Sequence, residues 1–132
     1  MTIQECYQAM GGDFAQMRER LCSDTLIERF IIKFLDDDSY DLLCRAVREG
    51  RHEEAFRAAH TLKGVSANLG LTRLLTSVEK MTELLRSPSD AIPAEAAVLM
   101  EEVERDYAWT VRVIRTYLDS AGRSKAPAEN QS

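Results

Sequence analysis

The chain has 132 residues, of which 45% are apolar and 30% charged, with 22 acidic against 17 basic side chains for a formal charge of -5. That length suits one domain with a core of its own, and the composition excludes an intrinsically disordered chain. The acidic balance and the lack of any Lys/Arg run argue against nucleic acid as a partner.

No apolar run approaches the roughly 20 residues of a membrane span. The opening residues Met1 to Glu5 carry neither the basic nor the apolar region of a secretory leader. Cys6, Cys22 and Cys44 are odd in number and widely scattered, which predicts free thiols in a reducing cytoplasm, at the core or its edge.

Thr2 with Glu5 reads as a capping box opening a short helix that ends at Gly11. Asp13 with Gln16 opens a second, carrying Phe14, Met17 and Leu21 on one side. From Ser23 a longer helix is expected to bury Ile27, Phe30, Ile31, Phe34 and Leu35, until Asp36-Asp37-Asp38 kinks or interrupts it. Ser39 to Glu49 continues with Leu42, Leu43, Ala46 and Val47 inward. Arg51 to Leu69 is helical and ends at Gly70, suited to a left-handed cap. Leu71 to Arg86 places Leu71, Leu74, Leu75, Val78, Met81 and Leu85 on one stripe. After the loop at Ser87–Asp90, Pro93 is expected as the first helical residue of a last helix reaching Asp119, with Leu99, Val103, Tyr107, Ile114 and Leu118 inward. The small polar residues 121–132 are expected to be a disordered tail.

No segment alternates like a strand. The expected fold is all-α, one domain over residues 1–120, built as an antiparallel up-down four-helix bundle capped by the short N-terminal helices.

On a wheel of about 100° per residue, Arg51 at the helix entrance and the core stripe Ala55, Ala58, Leu62, Val65 and Leu69 fall within roughly 40° of the pole opposite His60. His60 therefore points to solvent. Gly64 stands one turn on, Phe56 one turn back, Lys63 at i+3 and Arg57 at i−3, with Ala67 close by. Each has an ordinary reading: a lone surface His is usually just solvated, a helical Gly usually admits a neighbouring helix, and Lys63 alone is a surface charge. Phe56 reads equally as core edge or docking contact. Together they describe an imidazole on a face cut low, and a mid-helix Gly costs about 1 kcal/mol against Ala. One reason to accept that cost is close approach by another surface.

The run Ala59-His60-Thr61-Leu62-Lys63-Gly64-Val65-Ser66-Ala67-Asn68-Leu69-Gly70 resembles the signature of histidine-containing phosphotransfer (HPt) domains of bacterial phosphorelays, and Gly11-Gly12-Asp13 is similar to the family's N-terminal element. The resemblance extends to about Ser120. It implies that His60 is the phosphorylated residue, with Nε2 the outward nitrogen, that Lys63 assists at the phosphoryl group, and that Gly64 gives the incoming domain clearance. The partners it implies are receiver domains of response regulators or hybrid kinases, docking through Phe56, Arg57, Gly64, Ala67 and Asn68. The acidic run Asp36–Asp38 is less typical of the family.

The chemistry agrees. An aspartyl phosphate is an activated donor, so a neutral imidazole attacks it without a general base, and no carboxylate stands beside His60. Phosphoryl transfer depends on positioning and charge neutralisation; Lys63 supplies one charge, and Mg2+ and a lysine of the partner the rest. No cofactor is expected in this chain itself. His52 and His60 lie eight residues apart on different faces, too far to share a metal. With no Gly-rich nucleotide loop, autonomous kinase activity is not expected. The chain reads as a stand-alone cytoplasmic module and a monomer. Two other readings stay open: an adaptor that binds a receiver or kinase without being phosphorylated, and a substrate domain detached from a chemotaxis-type kinase.

Overall fold

The computed structural model describes residues 1–122. Among them every regular element is an α-helix: α1 (Ile3–Met10), α2 (Phe14–Leu21), α3 (Asp24–Phe34), α4 (Ser39–Arg48), α5 (His52–Asn68), α6 (Thr72–Leu85) and α7 (Ala96–Ser120). Local sequence explains most of the boundaries. The Thr2/Glu5 capping box forms, the Thr2 hydroxyl accepting from the Glu5 N–H at 3.0 Å and the Glu5 carboxylate from the Thr2 N–H at 2.8 Å. Asp13 and Ser23 cap α2 and α3 by accepting from the N–H groups of Gln16 and Leu26. The acidic run does end α3: the Asp37 carboxylate accepts from both the N–H and the hydroxyl of Ser39, which starts α4 anew.

α4 packs on α5, α5 on α6 and α6 on α7; α1 lies against α7 and α2 against α3. Tyr7, Met10, Met17, Ile27, Ile31, Phe34, Leu43, Leu62, Leu74, Met81 and Leu85 are all buried, so every helix up to α6 feeds the core, and α7 adds Val103, Ile114 and Leu118. Burying an aliphatic side chain of this size is worth about 1.5–3 kcal/mol, which is what makes the short early helices hold.

Four expectations fail. Phe30 and Leu42, predicted inward, are 37% and 44% exposed; each sits at the margin of its stripe, where neighbouring helices do not reach. Pro93 does not begin the last helix. Its carbonyl accepts from the Ala96 N–H in a turn, and α7 starts only at Ala96. Cys22 is not a core-edge thiol: it is exposed and ends α2 in the left-handed conformation, φ 57°. Cys6 is buried and Cys44 half-buried, and all three are free thiols. Of the expected tail, Ala121 and Gly122 close α7 with bonds to Tyr117 and Asp119, and residues 123–132 lie outside those described. No helix among the described residues is long and apolar enough to cross a membrane.

Candidate functional site

α5 owes its placement to its C-terminal end. A helix leaves its last carbonyls without partners, and here the N-terminal helices supply them. The Tyr7 hydroxyl donates to the Leu69 carbonyl at 2.7 Å, the Arg20 guanidinium to the Asn68 carbonyl, and the Asp13 N–H to the Gly70 carbonyl at 2.8 Å. Gly70 takes φ +66° to turn the chain into α6. At Gly12 a Cβ would stand 2.8 Å from both the Gly70 oxygen and the Tyr7 ring. The Gly11-Gly12-Asp13 element is thus a clamp on the end of the histidine-bearing helix.

His60 is exposed, as the wheel requires, while Ala55, Ala58, Ala59 and Leu62 are buried and Val65 is half-buried. The buried arc is wider than the predicted stripe and also takes in His52 and Ser66, because α5 is covered by α4 on one flank and α6 on the other. His60 stands on the strip left between them.

The strip's two flanks differ. Toward α6, Phe56 and Lys63 are half-buried. The Phe56 ring packs against the core and lies parallel to the His60 imidazole, 2° between planes and 6.0 Å between centroids. Arg86 holds its guanidinium 5.7 Å from the centre of the Phe56 ring and pairs with Glu83 at 2.8 Å. The hydrogen bond and charge of Arg86 hold the Glu83 carboxyl below the usual carboxylate range, and Lys63 adds to the effect. Two cations, Lys63 on α5 and Arg86 at the C-terminal end of α6, therefore border this side.

Toward α4, Arg57, Thr61 and Asn68 are exposed. Arg57 pairs with Glu53 one turn back at 2.6 Å; Thr61 donates its hydroxyl to the Arg57 carbonyl at 3.0 Å. Arg57, Ala58 and Thr61 continue into a cleft of about 460 Å3 whose far wall holds Leu42, Arg45 and Ala46 of α4. The exposed Leu42 gives that cleft an apolar wall.

Gly64 and Ala67 are exposed. A Cβ built at Gly64 meets nothing within 4 Å. The glycine therefore serves no contact with a neighbouring helix, and its cost to α5 has no internal compensation.

The structure brings His60, Phe56, Lys63, Gly64 and Ala67 onto one strip, with Arg57 and Asn68 on its α4 border. Sequence reasoning missed Arg86 and Glu83, which arrive from another helix and had no signal in the chain. It also misplaced Leu42, whose exposure beside Ala58 was visible only as an apolar stripe one position too wide. No group of His, Cys, Asp and Glu among the described residues is placed to hold a metal ion.

Comparisons with curated proteins and with solved structures return no significant match. A family model does match, and it spans residues 3–119, from the first residue of α1 to the last turn of α7. Hpt domains are intermediates of histidine phosphotransfer in two-component signalling rather than kinases, and they interact with receiver domains and histidine kinases. By that match the chain belongs to the Hpt domain family.

Proposed function

We propose that His60 accepts a phosphoryl group from the aspartyl phosphate of one receiver domain and passes it to the aspartate of another. In each transfer the P–O bond to the carboxylate breaks as the P–N bond to the imidazole forms, or the reverse. On acceptance the carboxylate leaves with the bonding pair and the other ring nitrogen releases its proton to water. On donation the receiving carboxylate attacks phosphorus, the imidazole leaves with the bonding pair, and that nitrogen takes a proton back from water. Nε2 is the proposed nucleophilic atom. Lys63 neutralises charge on the transferring oxygens, and Mg2+ on the receiver contributes the remainder. Phe56, Arg57, Gly64, Ala67 and Asn68 form the docking rim.

The observation that carries this reading is the open space at Gly64 next to an exposed His60: a helix weakened at the one place where a second surface must come close. In this reading the later helices form an antiparallel up-down four-helix bundle capped by the short α1 and α2, residues 1–120 form one domain, and the protein works as a cytoplasmic monomer.

The test is transfer from a panel of phosphorylated receiver domains to the wild type and to His60→Gln, with mapping of the label. Acid-labile label confined to His60 and absent from the variant supports the relay. Receiver binding without label on the wild type would replace it with an adaptor.

A further inference from the structure

A second surface shares no residue with the His60 strip. Arg73 on the first turn of α6, with Arg105, Ala108, Trp109 and Arg112 of α7, lines a cleft of about 450 Å3. The four α7 positions follow i, i+3, i+4, i+7 and occupy one face. Trp109 is 37% exposed, yet it is held in place. Its Nε1–H donates to the Ala9 carbonyl at 2.7 Å, and the Arg73 guanidinium lies 5.9 Å from the centre of its ring.

The charges around it do not balance. Asp106 is buried and accepts from Arg73 Nε at 3.0 Å, while Arg105 Nε stands 3.7 Å from the same oxygen. Arg112 forms no ion pair among the described residues. Two guanidinium groups thus share one buried carboxylate while a third, Arg112, lines the same cleft, in a chain whose net charge is -5. A rigid, partly exposed Trp among arginines is the composition that interface centres favour.

We propose that this cleft docks an acidic segment of a partner protein, its carboxylates on Arg105 and Arg112 and its backbone or an apolar side chain on Trp109. Charge complementarity selects an anionic occupant, and the surroundings select a short one. A phosphate backbone tracking along α7 would run onto Glu101 and Glu104, both exposed, so a nucleic acid fits poorly. The surface lies on α6 and α7 and takes none of its lining from α5.

The probe is a fluorescein-labelled octaglutamate peptide, titrated by anisotropy at low salt into the full chain, with the Trp109 indole N–H resonance reporting location. An octaglutamine peptide and a single-stranded DNA octamer serve as comparisons. Octaglutamate is expected to bind and to shift the Trp109 signal. Its affinity should fall about tenfold or more in Arg105→Glu/Arg112→Glu and about threefold in Arg112→Gln, while octaglutamine stays unbound. Circular dichroism checks the fold of the double variant, and Arg112→Gln supplies the reading if that variant does not fold. No binding by the wild type, undiminished binding by the folded variants, or tighter binding of the DNA octamer would each overturn the proposal.

Discussion

Phe56 and His60 lie with their rings 2° from parallel and 6.0 Å apart between centroids, one helical turn from each other on α5. Phe56 is at the same time packed on the core and overlain by Arg86, which follows the last residue of α6. The orientation of the exposed imidazole is thereby tied to the interior, and a cation from a second helix is brought to within one ring of it.

Arg86→Ala removes that cation. Its ion pair with Glu83 is solvent-exposed, so the stability change should stay below about 1 kcal/mol. Transfer to His60 should slow about three- to tenfold, less than for Lys63→Ala, which stands one turn from His60 on the same helix. Single-turnover transfer and urea unfolding on both variants separate the effects. A large stability loss in Arg86→Ala with unchanged transfer would make Arg86 a purely structural residue.

Gly64→Ala should raise stability and lower transfer together. A Cβ there enters open space, so the helix gains about 0.5–1 kcal/mol in denaturant unfolding. The longer Gly64→Gln should depress receiver binding further than Ala does. If both variants bind and transfer as the wild type does, clearance is not the reason for the glycine.

Tyr7→Phe tests the clamp on α5. The lost hydroxyl served the Leu69 carbonyl, 62 residues away in sequence and buried in the fold. Leaving that acceptor unpaired costs about 1–3 kcal/mol, visible as a lower urea midpoint with unchanged slope. A shift under about 0.3 kcal/mol would mean that the Asp13 and Arg20 contacts hold the end of α5 by themselves.

Alkaline pH should destabilise the fold. Burial pushes the Cys6 thiol from 9.0 up to about 12, and burial likewise raises Tyr7, Tyr40, Tyr107 and Tyr117. Between the unfolded and folded values the unfolded chain has released a proton that the folded chain keeps. Stability therefore falls as pH rises, by up to about 1.4 kcal/mol per pH unit for one group. Melting temperatures should decline from about pH 9 upward, and Cys6→Ala should flatten the first part of that decline. An identical pH profile for Cys6→Ala would remove Cys6 from the account.

The starts of α1, α2 and α3, the exposed face of α5 and the family were legible in the sequence because each depends on neighbours in the chain. Thr2, Asp13 and Ser23 cap with residues three positions on, and the 3.6-residue period alone turns His60 away from Leu62 and Ala58. What the period could not settle is how wide a face each neighbouring helix covers. Leu42 and Phe30 fit their stripes and still stand in solvent, and Val65 is half-buried while Ser66 beside it is fully covered. Nor could it bring Arg86 over Phe56, Tyr7 under Leu69, or Arg73 beside Trp109. These pairings come from separate helices, and only tertiary packing, where the burial of each helix depends on the others, sets the distance between them.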